Sequence, residues 1–145
     1  MRRLSREENG STLPLVIFYG ALSLVLVLLV VAATSLYLER KRLFTLADGA
    51  ALVGAEAFEL AAVPVGPSGP RPELRTADVA EAVEDYLSAA PTGAFDGLEL
   101  ERAETVDGRS ATVRLSAYWR PPVLTLFVPE GIRLDVTAVA RSVFG

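Results

Sequence analysis

LPLVIFYGALSLVLVLLVVAATSLYL, Leu13–Leu38, runs for 26 residues without a charge. A helix of that length rises roughly 39 Å, against roughly 30 Å of bilayer hydrocarbon, so the stretch is long enough to span a membrane. Pro14 falls in the first turn, where a missing N–H costs little, and Ser11 or Thr12 stands ready to cap the orphan amides. Tyr19 and Tyr37 lie towards the two ends, where interfacial aromatics are usual. Two other readings compete. A buried core helix would need a larger soluble domain than 145 residues leave room for. A cleaved secretory signal would find a small-x-small site at Ala33-Thr34-Ser35, although signals carry an apolar region of only about 7–15 residues.

Charge divides the chain. Residues 1–12 carry net +1 and residues 39–45 net +2, whereas residues 46–145, with eight basic and fifteen acidic residues, carry net −7. Three Lys/Arg flank each end of the apolar run, so the positive-inside count ties. The short tail of residues 1–12 is placed in the cytoplasm because the acidic domain beyond the run is the natural cargo. That acidity repels phosphate backbones and argues against a nucleic-acid partner.

The helical signal continues past Leu38. LERKRLFTLADGAALVGAEAFELAA contains no Pro and sets Leu43, Leu46 or Ala47, Ala50, Gly54, Ala57 or Phe58, and Ala61 on one stripe at three-to-four spacing. One helix from about Leu13 to about Ala62 is predicted, apolar all round at first and amphipathic afterwards. Its stripe consists of small residues, so whatever packs there comes close to the backbone. Gly49 and Gly54 each cost about 1 kcal/mol relative to Ala, which a packing partner has to offset.

VPVGPSGPRP, Val63–Pro72, reads as an irregular exposed connection. Thr76 is expected to cap a second helix, with Val79, Val83, Tyr86 and Leu87 as its buried edge and Pro91 and Gly93 ending it. Asp107-Gly108 predicts a two-residue hairpin turn. Opposite residues then sum to 215: Leu98 with Ala117, Leu100 with Leu115, Arg102 with Val113, Glu104 with Ala111, Glu99 with Ser116 and Glu101 with Arg114. In a final strand Ile132, Leu134, Val136, Ala138 and Ala140 alternate inward. Between the strands, Val123, Leu124, Leu126, Phe127 and Val128 form an apolar segment that either tucks under the sheet or touches the bilayer or a partner. A three-stranded antiparallel sheet with one apolar face needs a cover, and the amphipathic half of the long helix can supply it. The fold class is therefore α+β: a long N-terminal transmembrane and amphipathic helix packed on a small antiparallel sheet, plus one short helix. The organisation is a tail at 1–12, a transmembrane helix at 13–38, its amphipathic continuation at 39–62, a connection at 63–75 and an extracytoplasmic head at 76–145 that packs with 39–62.

With no Cys and no His, disulfides, thiol nucleophiles, imidazole bases and the usual zinc ligand sets are excluded. Glu81, Glu84 and Asp85 are read as the wet side of a helix and not as a metal site. Glu99, Glu101 and Glu104 form no spaced acid/base pair. No catalytic, cofactor or metal residue is assigned.

YLERKRLFTLADGAALVGA resembles the pattern YL-x-RRRLQ-x-x-ADAAALAGA of the TadE/TadG-like proteins of the tight-adherence (Flp) pilus system. Tyr37, Leu38, Arg40, Arg42, Leu43, Ala47, Asp48, Ala50, Ala51, Leu52, Gly54 and Ala55 are in place, and the likeness covers roughly residues 8–55. Phe44 stands where the family commonly has Gln, Ala32 where many members have Asp, and Leu15 where a pilin cut after Gly10 would usually carry Glu.

The resemblance implies a pilin-like architecture and a non-enzymatic pseudopilin or minor-pilin subunit, anchored by a single pass in the cytoplasmic membrane. In it, Leu43, Ala47, Asp48, Ala50, Ala51, Gly54, Ala55 and Phe58 are candidates for a helix-packing or partner face, and Gly10-Ser11 for a leader cleavage site. The implied partners are the lipid bilayer, other pilin-like subunits, Tad-type inner-membrane assembly proteins and, for a cut leader, a prepilin peptidase. No cofactor and no small-molecule substrate is implied. The competing expectation is an anchored or signal-cleaved extracytoplasmic binding domain with no pilus role.

Overall fold

The computed structural model describes residues 12–58, 65–67, 69–70, 73–121, 125 and 128–141. The order is α1 (Leu13–Ala55), β1 (Val65–Gly66), β2 (Gly69–Pro70), α2 (Thr76–Ala89), β3 (Asp96–Glu104), β4 (Ser110–Trp119) and β5 (Ile132–Arg141). The fold is thus α+β, with one long helix, one short one and a three-stranded antiparallel sheet in the order β3-β4-β5. The chain divides into two compact units, Met1–Thr34 and Ser35–Gly145.

In the first unit the described residues are the opening of α1, and nearly every side chain there is exposed. The most apolar 18-residue window has mean hydropathy 2.9, enough by length and composition to cross a membrane. The hydroxyl of Thr34 donates to the Val30 carbonyl at 2.8 Å, so this polar side chain is satisfied within its own helix.

In the second unit the remainder of α1 and α2 cover one face of the sheet. Ala111, Val113, Leu115, Ala117 and Trp119 of β4 are buried beside Leu134, Val136, Ala138 and Ala140 of β5. Alternation along β5 follows the sequence reading except at Ile132, which has the inward parity opposite Trp119 but is 43% exposed because it lies at the end of the sheet. From α2, Val79 and Val83 are fully buried, with Tyr86 and Leu87 half-buried.

Several boundaries and contacts differ from expectation. α1 ends at Ala55, not near Ala62: Glu56 and Ala57 donate to the carbonyls three residues back, Val53 and Gly54, at 3.2 and 3.3 Å, tightening and closing the last turn. Residues 59–62, including Ala61, lie outside the described residues. Val65 and Gly66 pair with Pro70 and Gly69, so the connection contains a minimal hairpin where an irregular stretch was expected. Thr76 does not cap α2. The N-cap is Arg75, and the Thr76 hydroxyl donates to the Thr105 carbonyl at 3.3 Å while accepting from the Thr105 N–H at 3.4 Å. Leu74 N–H donates to the Gly108 carbonyl at 2.9 Å, so the chain entering α2 is tied to the β3–β4 loop.

That loop changes the hairpin register. Leu100 faces Leu115 and Glu99 faces Ser116 as expected, but a shift follows Leu100, and Arg102 then faces Arg114, Ala103 faces Val113 and Glu104 faces Thr112. A strict alternation would have turned Arg102 and Glu104 onto the apolar face. One extra residue at Glu101 brings Ala103 inward and leaves both charges outside, paired with each other at 3.1 Å. A second irregularity, between Asp96 and Glu99, removes Leu98 from its place opposite Ala117; Gly97 sits there at φ +57°. The connection is accordingly longer than two residues. Asp107 organises it by accepting from the N–H of Arg109 at 2.9 Å, the N–H of Ser110 at 2.7 Å and the Ser110 hydroxyl at 2.9 Å, with Gly108 at φ +67°.

On the outer face, Glu101 accepts from the buried Ser116 hydroxyl at 2.7 Å and pairs with Arg133, while Arg114 pairs with Asp135 at 3.5 Å. Glu101 therefore meets Arg133, not Arg114, and its carboxylate is the main cause holding the Arg133 guanidinium above its ordinary pKa. Of the apolar Val123–Val128 segment, Val128 is exposed, and Val123, Leu124, Leu126 and Phe127 lie outside the described residues.

The three hydrogen bonds at Asp107 hold its carboxyl pKa down to about 2. A depressed folded-state pKa contributes stability that is present above the unfolded value and lost as pH falls through the folded one. Wild type is expected to be more stable than Asp107→Asn at neutral pH. In thermal melts at stepped pH, that difference should shrink between pH about 4 and about 2.

Candidate functional site

The candidate face on α1 is resolved for all eight of its positions. Leu43, Ala47, Ala50, Ala51, Gly54 and Ala55 are buried, Phe58 is half-buried just past the helix end, and Asp48 is exposed. The six buried residues lie inside the second unit. They follow the three-to-four spacing of the stripe, which is why one side of this helix can enter the core without burying a charge.

Gly54 is the tightest point. A β-carbon there would stand 3.1 Å from Val79 Cγ1, 3.2 Å from Val83 Cγ2 and 3.2 Å from the Ala111 methyl. Helix α1 thus touches both α2 and the central strand where it has no side chain, the approach that small residues permit. At Gly49 the neighbour is the phenol end of Tyr86, the far end of one half-buried side chain and not the packed side chains of two elements.

The other side of α1 stays open. Phe44 is 47% and Leu52 is 52% exposed, with Val53, Asp48, Lys41 and Tyr37 also exposed. Tyr37, Arg40, Lys41 and Phe44 line an open groove of about 240 Å³. Arg42, by contrast, is paired with Glu39 at 3.8 Å. Of these exposed residues only Asp48 belongs to the face expected from the sequence; the others are masked there by the stronger signal of small residues at helical spacing. Phe44 and Leu52, two turns apart and off the stripe, were the available clue.

A contact that no periodicity could indicate is the hydrogen bond from Trp119 Nε1 to Ser35 Oγ, 3.2 Å long and 84 residues apart in sequence. It sets the end of β4 beside the start of the second unit's part of α1. Gly10 and Ser11 lie outside the described residues. Among the described residues no cluster of three or more acidic side chains is arranged to hold a metal.

Residues 10–57 match the sequence profile of Tad, the Flp pilus-assembly TadE/G-like family. No curated protein and no solved structure gives a significant match to the chain. The matched segment includes the whole of α1, so it carries both the apolar run and the helix face that packs on the sheet.

Gly54→Val is expected to lower the stability of the detergent-solubilised protein by about 1–3 kcal/mol, the usual cost of overpacking a filled core. Gly49→Ala should stay within about 1 kcal/mol of wild type, since only the end of Tyr86 must move while helix propensity improves. Unfolding followed by circular dichroism reads both; equal losses at the two glycines would contradict this account of the packing.

Proposed function

We propose that this protein is a membrane-anchored, non-enzymatic pilin-like subunit, a pseudopilin or minor pilin, that takes part in assembling a Tad/Flp-type pilus or a related export apparatus. The match over residues 10–57, joined to a helix long and apolar enough for a single-pass anchor, supports a pilus-related membrane protein. The more specific role rests on how α1 is used. Its small-residue side is occupied by the chain's own sheet and α2, so lateral packing on neighbouring subunits falls to the apolar residues before Ser35 and to Phe44, Asp48 and Leu52.

In this reading the N-terminus is cytoplasmic, the head at 76–145 lies outside the cytoplasmic membrane, and the partners are other pilin-like subunits and Tad-type inner-membrane assembly proteins. A prepilin peptidase joins them if the leader is cut between Gly10 and Ser11. The acidic head, with six basic and eleven acidic residues over 76–145 and so net −5, fits exposure to water and not attachment to nucleic acid.

The chain has no Cys, so single cysteines can be placed without background. In cells making the whole apparatus, Cys at Phe44 or Leu52 should cross-link to a second pilin-like or assembly protein, while Cys at buried Ala47 should not. Mass measurement of the N-terminus separates an intact anchor from a subunit starting at Ser11. A solitary monomer in mild detergent, with no cross-links at either exposed position, would favour an anchored binding domain instead.

A further inference from the structure

We propose that Tyr37, Arg40, Lys41 and Phe44 form a binding site for the headgroup of an anionic phospholipid. The proposal rests on the single-pass anchor described above and goes beyond it in naming a lipid class and its ligands. The four residues occupy positions i, i+3, i+4 and i+7, one face of α1, and enclose an open groove of about 240 Å³. Its walls are almost wholly apolar, made by the rings of Tyr37 and Phe44 and the hydrocarbon stems of Arg40 and Lys41, two residues that each carry a positive charge. Glu39 is directed to Arg42, and among the described residues neither Arg40 nor Lys41 has an acidic partner. Two unneutralised cations beside one another complement a phosphodiester: the guanidinium offers paired N–H donors and the ammonium a compact charge. The Tyr37 ring, within the uncharged run and a turn before Lys41, suits the ester region just below such a headgroup, while Phe44, a turn further out, closes the groove on its water side.

Depth along the helix agrees with this occupant. Lys41 lies three residues past Leu38, the last residue of the uncharged run, or about 4.5 Å along the axis. With the run of about 39 Å centred on about 30 Å of hydrocarbon, the Cα atoms of Arg40 and Lys41 stand at the outer edge of the polar layer, from which their long side chains reach back to headgroup level. The groove therefore faces a bilayer surface, where anionic headgroups are the concentrated partner of matching charge.

The test uses the full-length protein in mixed vesicles of phosphatidylcholine and phosphatidylglycerol, extracted gently and read by native mass spectrometry for retained lipid. Wild type should retain phosphatidylglycerol preferentially. Arg40→Gln/Lys41→Gln should weaken that preference about 30-fold, from about 1 kcal/mol per basic residue. Arg42→Gln should leave it nearly intact. An unchanged preference in the double variant, or an equal loss in Arg42→Gln, overturns the site. Displacement of the lipid by millimolar inorganic phosphate would reassign it to free anions, and protein dimers replacing bound lipid would reassign it to a second copy; either overturns the lipid proposal. Alkaline carbonate extraction of the same vesicles separates the two readings: a variant that stays in the membrane but loses its lipid preference supports the site, while wild type released by carbonate removes the anchor and the site with it. Circular dichroism melts of the variants should match wild type, as expected for substitutions at exposed positions.

Discussion

The close approach of α1 to α2 and β4 at Gly54 is the contact on which the second unit depends. Three apolar groups from two elements stand 3.1–3.2 Å from where a β-carbon would be, and no larger residue fits without moving them. Alanines at 47, 50, 51 and 55 extend the same low surface along the helix, with Leu43 as its one large fully buried side chain. Small residues bury little area each, so the face is held by proximity of backbones and by the many weak contacts that proximity allows. The conformational cost of glycine within a helix is accepted because a β-carbon would separate the layers.

Polar groups in this unit are arranged around that contact so that none has to enter it. Glu101 would have forced charges inward had β3 kept strict alternation; the irregularity there sends Arg102 and Glu104 outward and gives Glu101 a place over Ser116 and Arg133. The loop between β3 and β4 is tied down twice, by Asp107 to its own backbone and by Thr76 and Leu74 to the entrance of α2. Sheet, loop and second helix are thus connected by hydrogen bonds at the rim, while the centre remains apolar.

The family profile and the structure concentrate on the same helix. Residues 10–57 are matched, and within them one side of α1 is spent on folding while the other carries Tyr37, Lys41, Phe44, Asp48 and Leu52 to the surface. Under the proposed role any lateral contact falls to this second side, since a face buried in its own core offers nothing to a neighbour. The same division explains why the cationic groove and the small-residue stripe occur on one helix without interfering.

The long apolar helix, the stripe, the extent of α2 and the inward alternation of β5 apart from Ile132 were legible in the sequence, because each is a local pattern set by its own element. The family likeness was legible for the same reason, being carried by consecutive residues of one helix. What the sequence could not decide was which surface the stripe would meet: a partner subunit and the chain's own sheet make identical demands on spacing, and only folding shows that the sheet takes it. The bulge at Glu101, the diversion of Thr76 to Thr105 and the bond from Trp119 to Ser35 depend on pairings between distant residues: keeping Arg102 and Glu104 out of the core decides the first, and satisfying the indole N–H of a buried Trp119 favours the last. Periodicity records what a segment can bury; the tertiary structure alone settles against what.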